Sequence, residues 1–362
     1  MSESVRFPAE WEPQDAVLIA WPHADTDWAD RLADVEDTYI ALVSAITQFQ
    51  PVVVCVPDDD VQAYARARLA SARVDMERVH FVEVPYDDTW LRDSGPITLC
   101  GDRGFRLLDF RFTGWGGKFD ASQDDALAGA LHEDGMFGAS ALESIDFALE
   151  GGAIETDGAG TLLTTWQCLR ERHPQATREQ LSIRLKASLR QERVLWLDHG
   201  FLEGDDTDAH IDTLARFASA DSIVFQACDD PSDSHYPQLQ AMADELGALR
   251  TTEGEPYRLF PLPWPSPIID GDRRLAASYA NFLIINEAVL MPAYGDAADA
   301  QAASVLGAAF PQRRIIAVPS RSLIWQNGSL HCITMQLPRG VLAVAAGSPD
   351  QPLHAEVGDS AQ

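Results

Sequence analysis

Ala16-Val17-Leu18-Ile19-Ala20-Trp21 is an unbroken apolar run, and Pro51-Val52-Val53-Val54-Cys55-Val56 is a second one. A strand with one wet face alternates polar and apolar side chains. A run without alternation belongs to a strand covered on both faces, as in parallel sheets flanked by helices. Between the runs, residues 30–48 are amphipathic at the helical period; beyond the second, residues 61–72, rich in Ala and Arg, predict another helix. Val79-His80-Phe81-Val82-Glu83-Val84 follows as a third strand closed by Pro85, and the lead-in 1–15 is irregular, broken by Pro8 and Pro13. Strand, helix, strand, helix, strand is an α/β pattern.

The alternation continues to the C-terminus. Residues 105–112 read as a strand, 120–132 as a helix and 144–149 as a strand. Strands at 161–165 and 193–197 flank a helix at 178–189, and strands at 222–227 and 257–261 flank a helix at 237–246. Strands at 281–285 and 288–292 precede a helix at 297–310 and a strand at 315–318, and 340–345 closes as a strand. This makes about five rounds of strand, strand, helix and strand, each of ~60–70 residues, with no sequence identity between rounds. A wheel of small sheets in one domain fits the recurrence; an ordinary α/β sandwich is the alternative. A single domain is expected over 1–346, with a polar tail at 347–362.

The chain has 362 residues, and 27 Lys and Arg against 56 Asp and Glu leave a formal net charge of −29. Nucleic acid is excluded as a partner, because phosphate binding needs basic patches. The negative field attracts small cations; solubility alone is the competing explanation. Five cysteines, Cys55, Cys100, Cys168, Cys228 and Cys332, are scattered, odd in number and without a Cys-x-x-Cys pair. They form neither a disulfide framework nor a zinc knuckle. Met1-Ser2-Glu3-Ser4-Val5-Arg6 has no apolar signal-peptide core, and no apolar run reaches the ~18 residues of a membrane span. The expected location is the cytoplasm.

Four segments carry chemistry. Asn327-Gly328-Ser329-Leu330-His331-Cys332-Ile333-Thr334 places one thiol after a Gly-Ser turn, at the edge of a β-prone run. A buried, silent thiol is its ordinary alternative. His210-Ile211-Asp212, on an extended segment, points His210 and Asp212 to one face and Ile211 into the core. A histidine beside a carboxylate keeps its proton near neutral pH, which suits an acid that later turns base; a structural His–Asp bond is the other reading. Trp90 and Asp93 sit in a loop closed by Gly95-Pro96. There Asp93 binds a cation with Trp90 packed on it, or pairs with Arg92 at the surface. Glu150 precedes Gly151-Gly152, which lets backbone approach a ligand. Asp205-Asp206-Thr207-Asp208 is a solvated turn, or a site for an ammonium. Neither a P-loop nor a dinucleotide fingerprint is present.

In order and together, these segments resemble the agmatine deiminase branch of the guanidine-modifying (pentein) superfamily. The likeness runs through Trp11-Glu12-Pro13-Gln14-Asp15, Trp90 to Pro96, Trp115-Gly116-Gly117-Lys118, Leu149 to Gly152, Asp205 to Phe217 and Gly328 to Gln336. That family has five ββαβ modules around a pseudo-fivefold axis. Its ordered Asp, Glu-Gly-Gly, His-x-Asp and Cys fall on Asp93, Glu150, His210-Ile211-Asp212 and Cys332. The histidine segment departs from the branch's Gly-His-x-Asp-Asn, reading Ala209-His210-Ile211-Asp212-Thr213.

The resemblance implies hydrolysis of a guanidinium with no metal and no cofactor. Cys332 attacks, His210 is acid then base, Glu150 orients His210, and Asp93 and Asp212 hold the guanidinium plane. Trp90, Trp115, Gly328 and Asp206 complete the substrate site, Asp206 meeting the distal ammonium of agmatine. A homodimer is compatible with it. The alternative substrates are arginine and peptidyl-arginine, whose carboxylate or backbone needs a cation, with Arg111 as the candidate. A Cys–His hydrolase of another class and an inactive cation-binding protein are the remaining readings.

Overall fold

The computed structural model describes residues 5–343. Its first two apolar runs become neighbouring parallel strands, Gln14–Ala20 and Val52–Val56, paired from Val17 with Val52 to Ala20 with Cys55. Both faces are covered. Val17 and Ile19 pack with Val35, Leu42 and Ile46 of the helix Leu32–Ile46, whereas Leu18 and Ala20 pack with Leu127 and Leu131 of the helix Ser122–Glu133. Val79–Glu83 extends the sheet in parallel on one side, and Met335–Pro338 joins antiparallel on the other, Met335 opposite Leu18. The strand Gln14–Ala20 and the last strand of the described residues therefore share a sheet, and Cys332 stands in a turn three residues before that last strand.

Four more sheets repeat one hydrogen-bonding scheme, an antiparallel pair followed by a helix and a parallel third strand. Ile97–Gly101 and Gly104–Arg111 pair, and Ala141–Ala148 joins after the helix Ser122–Glu133, with Val5–Arg6 at the far edge. Ile154–Thr156 and Thr161–Thr165 pair before the helix Arg178–Leu189 and the strand Arg193–Leu197. Ala215–Ser219 and Ser222–Gln226 precede the helix Tyr236–Ala248 and the strand Arg258–Leu262. Leu283–Ile285 and Ala288–Ala293 precede the helix Asp299–Ala309 and the strand Arg314–Pro319. A two-stranded hairpin, Ile269–Asp270 with Arg273–Arg274, stands apart. The architecture is mixed α/β.

Two expectations fail. The closing strand is Met335–Pro338, and residues 340–343 of the expected 340–345 strand form no strand, with Gly340 at a φ of 93°; residues 344–345 lie outside the described residues. Pairing with Gln14–Ala20, invisible to local sequence, selects the earlier segment. The segment before Gly95-Pro96 is a short helix, Leu91–Ser94, instead of an open loop. The tail at 347–362 lies outside the described residues. Among the described residues no helix is long and apolar enough to cross a membrane.

Candidate active site

The site gathers where the sheets' strand ends meet. Gly151 and Gly152 form its floor in the 3₁₀ turn Gly151–Ala153. A Cβ on Gly152 would lie 2.6 Å from His210 Nδ1, 2.8 Å from Asp93 Oδ1 and 3.2 Å from Asp212 Oδ2, so three functional groups converge on one bare backbone position. A Cβ on Gly151 would lie 2.1 Å from the Arg92 carbonyl. Close approach, more than turn geometry, requires glycine here.

Asp93 is fixed by two donors: the Gly152 N–H donates to Oδ1 at 2.9 Å and the Trp115 indole N–H donates to Oδ2 at 2.9 Å. Burial raises its carboxyl to about 6, with the charges of Asp212 and Glu150 adding and that of His210 opposing. Arg92 makes no surface pair with it. Arg92 is buried and turns away, donating to Gln336 at 2.6 Å and lying 3.7 Å from Glu10.

His210 is fully buried, 3.6 Å from Asp93 Oδ1 and 3.8 Å from Glu150 Oε2. These are ion-pair separations; in a site without substrate such contacts are commonly long. Burial disfavours its charge, but Asp93 and its other neighbours outweigh that and hold its pKa well above the usual value. Glu150 is held in turn by Arg172, whose Nε donates at 2.6 Å and whose Nη1 reaches Asp208 at 2.6 Å. Ile211–Thr213 is a 3₁₀ turn, so His210 and Asp212 converge through a tight turn and not through strand alternation. Ile211 enters the core with Leu163, Leu214 and Phe217, as expected.

Cys332 is 4% exposed, with Sγ 3.7 Å from Asp212 Oδ2 and 3.4 Å from Asn281 Oδ1. Burial, then the charges of Asp212 and Asp93, raise its thiol well above the ordinary cysteine range. Asp212 also accepts from His331 Nδ1 at 2.8 Å, and His331 Nε2 meets Glu10 Oε2 at 2.7 Å. Glu10 accepts from Arg216 at 2.8 Å, and Arg216 donates to Glu155 at 2.6 Å. This ionic network beneath the thiol went unread, as did Asn281. Its members lie far apart in sequence, and none carries a local signal beyond the His331 beside Cys332.

Beside the site, Trp90, Trp115, Asp88, Asp124, Asp206, Arg273, Asn327 and neighbours line a cavity of about 360 Å³. Burial pushes Asp88 and Asp124 up to about 7. A Cβ on Gly328 would fall 2.1 Å from the Trp90 ring, so that glycine seats the indole. Four of the seven non-glycine residues with positive φ among those described, Trp115, Asp208, Ala209 and Asn327, belong to this region, a concentration of backbone strain typical of functional sites. The three aspartates of the 205–208 segment divide its labour. Asp205 ties its own loop through Thr207 and Ala209, Asp208 pairs with Lys118 and Arg172, and Asp206 faces the cavity, accepting from Asn327 Nδ2 at 2.7 Å. Arg111 lies outside it, exposed and 3.1 Å from Asp146. Glu150, Cys168 and His210 place one donor atom each within 4.8 Å of one another, the geometry of a three-ligand metal group among the described residues.

Residues 6–338 match the model of the Porphyromonas-type peptidyl-arginine deiminases. The agmatine deiminase of Stutzerimonas stutzeri is 35% identical over 358 residues, covering 92% of this chain and 95% of that protein. Among solved structures, a putative arginine deiminase from Porphyromonas gingivalis is 46% identical with a TM-score of 0.86, covering 94% of this chain and 100% of that one. A Cys→Ser variant of the C. jejuni agmatine deiminase with substrate bound is 34% identical with a TM-score of 0.86, covering 94% and 98%. With near-complete coverage on both sides, the chain belongs to the Porphyromonas-type peptidyl-arginine deiminase family.

Proposed function

We propose that the chain is an agmatine deiminase, hydrolysing agmatine to N-carbamoylputrescine and ammonia. The observation that carries this is the convergence of Asp93, His210 and Asp212 on Gly152, with Cys332 Sγ 3.7 Å from Asp212. Two carboxylates match the N–H edges of a planar guanidinium through charge-assisted bonds. The curated relatives named agmatine deiminase support the choice of substrate. The distal ammonium goes to Asp206, with Trp90 and Trp115 walling the methylene chain.

The chemistry then runs as follows. The arriving cation favours ionisation of Cys332, whose proton leaves to solvent. The thiolate adds to the guanidinium carbon. His210, cationic at the start, gives its proton to one NH2, which departs as ammonia and leaves an amidino-cysteine. Neutral His210 takes a proton from water as the hydroxide adds. The carbon–sulfur bond breaks, the hydroxyl proton is lost, and a ureido product and thiolate remain. Glu150, clamped by Arg172, keeps His210 in place through both steps. No step calls on a metal or a cofactor.

In the same proposal, residues 1–346 form one catalytic domain whose five repeated sheets ring a pseudo-fivefold axis, and the protein works in the cytoplasm. A homodimer is tested by sedimentation. The decisive experiment is Cys332→Ala with agmatine. Ammonia release should vanish while agmatine still binds, and alanine at Cys55, Cys100 or Cys228 should leave most activity. Substantial turnover by Cys332→Ala sinks the mechanism.

A further inference from the structure

A second cavity, of about 330 Å³, is lined by Gly151, whose neighbour Gly152 meets His210 and Asp93. It shares no lining residue with the cavity of Asp206 and Arg273. Its volume is that of a small-molecule site. Phe7, Ile97, Phe105, Ile154 and Met335 give it an apolar wall. Arg92 and Thr98, each 4% exposed, line it as well. Arg92 Nε, Arg92 Nη2 and Thr98 Oγ1 have no hydrogen-bond partner among the described residues. The same holds for Glu150 Oε2, both ring nitrogens of His210 and Asp212 Oδ1, the set that serves substrate in the proposed mechanism. Folded proteins satisfy nearly all buried polar groups, so a set of unsatisfied ones at a cavity wall marks a place where a ligand binds.

The chemistry of the ligand follows from the donors. Arg92 Nη1 is taken by Gln336 at 2.6 Å, with Met335 Sδ 3.6 Å away. Nε and Nη2 form the other edge of the guanidinium, a pair of parallel donors that a carboxylate accepts side by side. The Thr98 hydroxyl is a third donor. The cavity's own acids leave this edge open. Glu10 Oε2 stands 3.7 Å from Nη2, beyond hydrogen-bonding distance, and is engaged by Arg216 at 2.8 Å and His331 at 2.7 Å. Glu12 is held by Arg6 at 2.6 Å, and burial pushes the Glu155 carboxyl up to about 7. We propose that this cavity is a second ligand site, taking a compact monocarboxylate whose carboxylate sits on the Nε–Nη2 edge of Arg92 and whose hydrocarbon body packs on the apolar wall. A dianion is disfavoured, because its second charge would meet that wall or Glu10.

The test is binding of hexanoate to the protein by isothermal titration, without substrate and so independent of the deiminase reading. Hexan-1-ol and hexylamine are controls of the same length. Hexanoate should bind, and both controls should bind at least about tenfold more weakly, since neither presents two parallel acceptors to a guanidinium edge. Arg92→Lys keeps the buried charge but loses the fork, and should weaken hexanoate about tenfold or more. Thr98→Val removes the hydroxyl and should weaken it less. Cys100→Trp, at a half-buried position on the cavity wall, should abolish binding by filling the space. A thermal melt of each variant shows that it is folded, and Cys100→Trp carries the test if Arg92→Lys does not fold. Arg273→Gln, in the other cavity, should leave hexanoate binding unchanged. The proposal is overturned if hexanoate does not bind, if hexan-1-ol binds as well, or if Cys100→Trp binds like wild type. Loss of binding in Arg273→Gln also overturns it, by placing the carboxylate in the cavity of Asp206.

Discussion

Asp93 shows how burial moves the titration of a carboxylate towards neutral pH. Burial raises it to about 6, and the neighbouring Asp212 and Glu150 push the same way. Its two hydrogen bonds, from Trp115 and Gly152, and the nearby His210 resist but do not cancel the effect. In the proposed mechanism a guanidinium is bound by the ionised form. The sign follows: a raised carboxyl is charged above its pKa and neutral below, so binding is intact above about 6 and fails as pH falls through it. The kcat/KM profile for agmatine should therefore show an acidic limb near 6, while the limb in kcat lies lower because bound guanidinium stabilises the carboxylate. A kcat/KM profile flat through that region would show that Asp93 is ionised by some partner other than substrate. At the same scale, Cys332 and His210 pull apart. Burial first, then the charges of Asp212 and Asp93, raise the thiol, whereas Asp93 holds the imidazole's pKa up against burial; in the proposed mechanism the thiol therefore ionises when the cationic substrate arrives.

The element that makes this arrangement possible is the Gly151–Ala153 turn. Its backbone comes so close to His210 and Asp93 that a single methyl group cannot be added without moving them. Gly152→Ala should lower kcat/KM for agmatine by ~10²-fold or more, because displacement of reacting groups by about an ångström costs that much. Stability should fall by only ~1–3 kcal/mol, the usual cost of overpacking. Kinetics and a thermal melt of the same variant test this; wild-type kinetics would mean that the imidazole is free to move aside.

Glu150-Gly151-Gly152 was legible in the sequence, as were Thr161–Thr165, Arg178–Leu189 and Arg193–Leu197, whose bounds match expectation. The helix begins at a Thr177 capping box, and the strands are short runs of apolar and β-branched residues; these are local signals. Ala215–Ser219 was missed because Arg216 interrupts it, and that arginine is buried only by virtue of Glu10 and Glu155, remote in sequence. The hairpin carrying Arg273 was missed because each strand has two residues, too few for any period. His210 and Asp212 were paired correctly for the wrong geometric reason. Local patterns single out candidate residues, but partners supplied by other modules are not written near them.

At the scale of the molecule, the charge of −29 and the acid-walled mouth act in one direction on a dication. Field lines from a negative surface converge on a concave, acid-lined entrance and raise the local concentration of cations. Salt shortens the reach of that field from about 30 Å at 0.01 M to 3 Å at 1 M. The kcat/KM for agmatine should fall by about tenfold across that range, the lower end of measured steering effects. A butylguanidine lacking the amine carries half the charge and should lose about half as much on a logarithmic scale. Neither kcat should change much, because buried groups such as Asp93, His210 and Cys332 lie out of reach of the ions in solution. The comparison separates steering from solubility as the reason for the acidity. If both substrates lose equally, or if kcat falls in parallel, salt is acting on the enzyme itself, and the negative surface has no part in gathering substrate.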